Sequence, residues 1–300
     1  MRRHDVGVDA GRITLAISTR DRPQLVARFV VPALPLLTEE GFPVVIVDQS
    51  GSGETEGLLR EVPGIRLLGS EPGLARAHNV AIEATRTELI AFTDDDVTIE
   101  PAWLYGIVAE FDRAPNVGAV CGRVVDRWGR LLPGTESGIY RWPMNPIGLG
   151  TGANIAFRRA ALVDAGPFDE ELGIGAEYRA GEETDMLYRV MRAGWTVACS
   201  DQLTVMHHDW RTVRDELALH YGYGLGAGAQ FGKHAAEGDW TAGRIALKEA
   251  GRHCLSFLRG LARLQPRVVR LQPPFLAGLA VGFVRRYRAV KARPGPGTRP

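Results

Sequence analysis

Cysteine is scarce: among 300 residues only Cys121, Cys199 and Cys254 occur, far apart and with no C-x-x-C pair. That removes support for a thiolate zinc site or a disulfide framework and fits a reducing, cytoplasmic compartment. Excess charge of one sign is also missing, since 36 Lys and Arg against 35 Asp and Glu leave a formal net charge of +1. Coating nucleic acid needs a concentrated basic surface, so nucleic acid is not an expected partner. Long apolar runs are absent too. The longest, 275–284, is about half of the ~20 residues that cross a bilayer, and glycines weaken it, so no transmembrane helix is expected. Arg2, Arg3, Asp5 and Asp9 lead into no apolar segment, which argues against a cleaved secretory signal. What remains, 45% hydrophobic and 24% charged residues, suffices for one large core or for a core with a helical appendage.

Short apolar runs at 13–17, 44–47, 65–68 and 89–92 recur at helix-sized intervals, a pattern that predicts a parallel α/β sheet. Asp21 followed by Pro23 reads as a helix start, and 74–86 is a helical pattern with Ala77, Ala81 and Ile82 on one face. Three of the runs end in polar loops: Ser18-Thr19-Arg20, Asp48-Gln49-Ser50 and Thr93-Asp94-Asp95-Asp96. Ligands of open α/β sheets bind beyond the carboxyl ends of the strands, so these loops should converge on one crevice. Pro101 opens another helix, and 117–125 reads as a strand interrupted by Gly118 and Gly122. Residues 126–150 show no periodicity and suggest a long functional loop. Helices at 158–165 and 182–193 each close on a glycine, Gly166 and Gly194. Beyond His208 the chain turns Arg- and Ala-rich. The expected division is a catalytic domain over 1–210, a helical appendage over 211–292 and a disordered tail over 293–300.

The aspartate triplet follows Leu89-Ile90-Ala91-Phe92, so a buried strand delivers three carboxylates to its exposed end. Like charges crowded there are costly without a cation, and hard oxygen ligands favour Mg²⁺ or Mn²⁺ bound jointly to carboxylates and substrate phosphates. A solvated turn whose last Asp caps the next helix is the competing reading. A second acidic group, Gly181-Glu182-Glu183-Thr184-Asp185, stands at a helix start, where the macrodipole alone favours acids. A carboxylate separate from the metal set is also what is needed to deprotonate an acceptor hydroxyl.

Over about residues 12 to 210 the chain resembles a family 2 glycosyltransferase with the GT-A fold. The matching pieces are Ser18 to Pro23, Val47-Asp48, Gly73 to Asn79 and Phe92 to Asp96. They continue through Gly152-Ala153-Asn154, Phe168-Asp169-Glu170 and Glu182 to Asp185, ending in Arg192-Ala193-Gly194-Trp195. The resemblance implies the nucleotide-diphospho-sugar transferase fold: an α/β architecture with a mainly parallel sheet flanked by helices, here with a C-terminal helical appendage. It implies that Asp48 binds the nucleotide base, flanked by Ser18, Thr19 and Arg20, and that Arg76 approaches the diphosphate, with Asn79 and Asn154 in the donor-binding set. Asp96 aligns with the metal ligand, leaving Asp94 and Asp95 for the ribose, the donor sugar or a metal-bound water. The base position falls on Glu183, one methylene longer than the usual Asp, with Glu182 and Asp185 as substitutes. His207 and His208 lie where this fold often completes the metal shell or closes over the diphosphate. The implied reaction is transfer from a nucleotide-sugar donor to an acceptor hydroxyl with inversion. The acceptor is a sugar, a lipid-linked glycan or a small molecule.

Tyr140 and Trp142 could stack on an acceptor sugar or simply pack. In the appendage, the glycine-spaced run His220 to Gly226 would allow close helix packing. Phe275, Leu276, Leu279, Val281 and Phe283 beside Arg285, Arg286, Arg288 and Lys291 suit a segment at the inner face of an anionic membrane. Rivals are a nucleotidyltransferase, which also wants metal-bound carboxylates at a strand end, and an inactive sugar-nucleotide-binding scaffold. A dinucleotide-dependent dehydrogenase fails on the spacing of Gly51, Gly53 and Gly57.

Overall fold

Each of the four apolar runs becomes a strand, and the alternation of their side chains builds a core on either face of one sheet. The structure, a computed structural model, describes residues 9–132, 134, 136–208 and 216–293. Its strands are β1 (Ile13–Thr19), β2 (Val44–Asp48), β3 (Ile65–Gly69), β4 (Leu89–Asp94), β5 (Val97–Thr98), β6 (Val117–Asp126), β7 (Gly138–Tyr140), β8 (Ile155–Arg158) and β9 (Thr196–His207). The helices are α1 (Pro23–Leu25), α2 (Leu34–Glu39), α3 (Glu54–Leu59), α4 (Leu74–Ala84), α5 (Pro101–Arg113), α6 (Arg159–Ala165), α7 (Glu182–Arg192), α8 (Glu216–Ala236), α9 (Trp240–Ala262) and α10 (Pro266–Ala292).

The strands run in the order β3-β2-β1-β4-β8-β6-β9-β5, with β7 also on β9. The sheet is mixed. Its first half, β3 to β4, is parallel as expected, whereas β8 lies antiparallel between β4 and β6. Every residue of β1 is buried, as in strands covered on both faces. Leu15 and Ile17 join Leu104, Ile107 and Phe111 of α5 in one core. Ala16 faces the other way, into a core with Ala77 and Ala81 of α4 and Met186, Leu187 and Val190 of α7.

Local departures from the sequence reading have identifiable causes. Gly118 and Gly122 do not break β6; the pairing with β9 shifts register at those points and the strand continues. A Cβ on Gly122 would stand 2.2 Å from the Leu203 carbonyl oxygen, so only glycine permits that approach. The segment 126–150 is not wholly irregular, because Gly138–Tyr140 pairs with β9 and Val125 bridges Leu131. Three residues are too few to show a period. Asp21 does not cap the first helix. It adopts φ 53°, its N–H donates to Ser50 Oγ at 2.6 Å, and Arg22 takes the position before Pro23.

The chain forms two compact units, Met1–Asp169 with Glu183–Asp209, and Glu170–Glu182 with Trp210–Pro300. The boundary expected near 210 falls at 209–215, outside the described residues, and segment 170–182 groups with the C-terminal helices. Of the expected tail only Arg293 is described, paired with Glu171 at 2.6 Å; 294–300 lie outside the described residues.

Within the second unit, α8 and α10 meet backbone to backbone. A Cβ on Gly224, Gly228 or Gly232 would lie 2.0, 2.1 or 2.4 Å from the carbonyl oxygens of Phe275, Leu279 and Phe283. Gly278 and Gly282 of α10 are equally close to the carbonyls of Tyr221 and Leu225. Phe275 and Leu279 of α10 are therefore turned inward and buried, and Arg286 is buried against Glu171, whereas Val284, Arg285, Arg288 and Lys291 stay exposed. Gly228→Ala should lower stability by about 1–3 kcal/mol, the usual range for overpacking. Gly243→Ala in α9, where a Cβ meets nothing within 4 Å, should raise it by about 0.5–1 kcal/mol. Thermal unfolding of the two variants, followed by circular dichroism, checks the opposite signs.

Candidate functional site

Strand register assembles the crevice. β1 sets Ser18 beside Asp94 of β4 and Thr19 beside Asp48 of β2, so the ends of three strands adjoin. Their loops are then laced together. The Gln49 N–H donates to the Thr19 carbonyl at 3.0 Å, and its side-chain oxygen accepts from the Gly73 N–H at 2.6 Å. Asp48 Oδ1 accepts from the Ser50 N–H at 2.9 Å, which fixes the turn and leaves the carboxylate on the wall of an open cleft with Ser50, Gly53 and Leu68. Arg20 is exposed and lies 3.4 Å from Asp21. Arg76 sits half-buried in the first turn of α4.

Asp95 and Asp96 form the turn between β4 and β5, and both are buried. β5 pairs antiparallel with β9, opposing Val97 to His207 and bringing the end of β9 to the aspartates. His207 Nε2 lies 3.3 Å from Asp96 and 3.5 Å from Asp94. Ligand atoms of Asp94, Asp96 and His207 all fall within 4.8 Å of one another. Asp96 Oδ1 is buried and receives no hydrogen bond. Two carboxylates and an imidazole around an unsatisfied buried oxygen fit Mn²⁺ or Mg²⁺.

The middle aspartate has a different environment. Asp95 accepts from Thr19 Oγ1 at 2.6 Å and lies 2.9 Å from the Arg22 guanidinium, which also stands 3.6 Å from Asp96. Burial raises the Asp95 carboxyl to about 6 despite Arg22 and Thr19, and burial likewise raises Asp96 against His207 and Arg22. Arg22 joins the aspartates in this crevice although the sequence reading does not single it out as a site residue. Its signal was present in the loop after β1, immediately before Pro23.

His208 does not join the cluster. It stacks on Phe29 with ring centroids 4.1 Å apart and hydrogen-bonds Thr98 Oγ1 at 2.8 Å, while burial, then Arg28, depresses its pKa. Asn79 is clamped to the backbone of Phe168, accepting from its N–H at 2.8 Å and donating to its carbonyl at 3.0 Å. Beside it, His78 packs between Phe92 and Phe168, and burial drives its pKa down to about 4.

Glu183, the second residue of α7, lies over the 3₁₀ turn Gly152–Asn154, its Oε1 only 2.4 Å from where a Gly152 Cβ would be. The next residue, Ala153, accepts from Thr93 Oγ1 at 2.8 Å, so one short backbone piece links Glu183 to the strand bearing the aspartates. Cys121 and Cys199, paired across β6 and β9, line an adjoining cavity of about 200 Å³ with Leu131, Leu149 and Thr151. Asp185 is buried and bound to Arg189 Nε at 2.8 Å, an intrahelical ion pair. Glu182 is buried and packs on Gly173. Trp142 meets Tyr188 edge-on at 4.9 Å, and the Tyr140 hydroxyl donates to the Glu136 carbonyl at 2.8 Å.

Asn154 is occupied by the fold. Its Nδ2 donates to the carbonyls of Arg123 (2.8 Å) and Leu203 (3.0 Å), and its Oδ1 accepts from Trp103 Nε1 at 2.9 Å. Removing it orphans two buried groups and one part-buried carbonyl, so Asn154→Ala should cost about 2–4 kcal/mol of stability. Urea denaturation measures that loss.

The family model described as "Glycosyl transferase family 2" matches residues 14–165. The pre-mycofactocin glycosyltransferase of Mycobacterium tuberculosis is 27% identical over 229 residues, covering 71% of this chain and 46% of that protein. This chain thus spans about half the length of that relative. The N-acetylglucosaminyl-diphospho-decaprenol L-rhamnosyltransferase of the same organism is 23% identical over 248 residues, covering 69% of this chain and 78% of that protein. Among solved structures, the mannosyltransferase PcManGT from Pyrobaculum calidifontis, in complex with GDP-Man and Mn²⁺, superposes with a TM-score of 0.61 at 19% identity, over 93% of this chain and 90% of that one. That likeness establishes the GT-A fold, and with the family match spanning strands β1 to β8 and helix α6, the chain belongs to glycosyl transferase family 2.

Proposed function

We propose that this protein transfers a sugar from a nucleotide-diphosphate donor to an acceptor hydroxyl with inversion at the anomeric carbon, dependent on Mg²⁺ or Mn²⁺. The observation that carries the reading is the convergence of Asp94, Asp96 and His207 at the end of β4, one short backbone segment from Glu183. The cation, when bound there, neutralises charge on the departing diphosphate. Asp96 is the principal ligand, with Asp94 and His207 completing the protein's share. Thr19 and Arg22 hold Asp95 at the floor of the site, while Arg76 faces the diphosphate. Asp48, with Ser18 and Arg20 beside it, receives the base and ribose.

Glu183 is the general base. Of the three acids in α7 it is the one set over the Gly152 turn, whereas Asp185 is committed to Arg189. It takes the proton of the acceptor hydroxyl as that oxygen bonds to the anomeric carbon, and the nucleoside diphosphate leaves from the opposite face with the electrons of the broken C–O bond. The cavity lined by Cys121, Thr151 and Leu131 is the acceptor side. We assign residues 1–210 to catalysis and the helical segment 211–292 to association with a membrane's inner face, where a lipid-linked acceptor would be presented. The decaprenol-linked acceptor in the name of one relative supports that choice.

A panel of nucleotide-sugars with Mn²⁺ or Mg²⁺, scored for nucleoside diphosphate release, tests the reading. Asp96→Ala should reduce turnover of the best donor about 100-fold or more, and Glu183→Gln by about 10²–10⁴-fold. Unchanged turnover in both variants sinks the assignment. Release of inorganic diphosphate from a nucleoside triphosphate instead would mark a nucleotidyltransferase. The product should show inverted anomeric configuration by NMR, and retention would refute Glu183 as a base in a single displacement.

A further inference from the structure

We infer that the outer face of α9, not the apolar segment of α10, is the surface by which this protein lies on an anionic lipid bilayer. The inference deepens the membrane-surface part of the proposed function and rests on it. The inner face of α9 is settled within its unit: Ala242, Ile245, Ala246, Glu249 and Gly260 are buried, and His253 stacks on Phe275 of α10 at 3.7 Å. On the opposite side, Trp240 is 86% exposed, Leu247 75%, Leu258 59% and Leu261 49%. At 100° per residue these four fall on one stripe along a helix of 23 residues, about 35 Å long. Leu264, just past its end, is 88% exposed.

Single exposed leucines need no explanation, but a row of large apolar residues along the length of a helix does. Charge decides what covers it. Arg244, Lys248, Arg252 and Arg259 follow one another along one flank of the stripe, and all are exposed. The single acid of the helix, Glu249, is buried and taken up by Arg252 and His253, so the outward charge of α9, carried by Arg244, Lys248 and Arg259, is positive. An apolar stripe with a basic flank and an exposed tryptophan is the pattern of a helix lying in a bilayer interface, with lysine and arginine heads reaching anionic phosphates. A second copy of the helix fits worse. A heptad seam through Trp240, Leu247 and Leu258 would also contain Arg244 and Gly251, which leave charge and a gap in the seam. A fluid lipid surface fills both.

Flotation of the full chain with phosphatidylcholine vesicles, alone or mixed with phosphatidylglycerol, tests the inference. The protein should float with the anionic vesicles, weakly with the neutral ones, and less as salt rises. Its tryptophan emission should shift to the blue on binding, a shift lost in Trp240→Phe. Leu247→Glu combined with Leu258→Glu, both at exposed positions, should lower the vesicle-bound fraction about tenfold, with unchanged circular dichroism. Absence of flotation, or equal flotation by the double variant, overturns the inference. So does a wild-type dimer in sedimentation that the double variant dissolves, since the stripe would then be a protein interface. Nucleoside diphosphate release without vesicles is read on the same proteins and should not change in the double variant. A failed donor assignment thus leaves the flotation result standing.

Discussion

Three carboxylates at the end of a buried strand repel one another, and the surrounding loops are arranged to hold that charge. Asp95 is compensated within the chain by Thr19 and Arg22. Asp96 is compensated by Arg22 and by an imidazole that the pairing of β5 with β9 brings close, and Asp94 by that imidazole. Two buried oxygens of the turn, Asp95 Oδ1 beside Arg22 and Asp96 Oδ1 beside His207, still accept no hydrogen bond. Removing Arg22 would leave the floor of the crevice with unpaired buried charge, which makes this arginine as much a part of the site as the aspartates.

The parallel half of the fold was legible because its strands are continuous apolar runs ending in polar loops. β8 was not, since Ile155–Arg158 is four residues whose antiparallel insertion depends on partners distant in sequence. In the site, the placement of the triplet at a strand end could be read from position and Glu183 was singled out by the resemblance, but the contacts of each aspartate could not be read. Which aspartate meets Thr19 is a matter of turn geometry. Asn79 and Asn154 sit inside recognisable motifs yet spend their hydrogen bonds on the chain itself. Composition cannot distinguish an amide that binds a ligand from one that staples a loop.

His207 and His208 illustrate what a local rule could have added. Successive residues at a strand end point to opposite sides, so the two imidazoles were never equivalent candidates. One reaches the aspartates and the other stacks on Phe29. A similar argument applies to α10, where close backbone contact with the glycines of α8 goes with burial of Phe275 and Leu279. In α9 the exposed leucines are spaced among basic residues, so no apolar run marks that face in the sequence.

The backbone contact between α8 and α10 has a consequence for how this appendage can change over generations. Most helix pairs tolerate drift, because one enlarged side chain can be offset by a smaller one opposite. Here the opposing surface at Gly224, Gly228, Gly232, Gly278 and Gly282 is main chain, which no substitution can shrink. Those five positions should stay constant while the outer residues of α9 diversify around a fixed balance of apolar and basic character, so the invariant residues of this region are those that carry no chemistry.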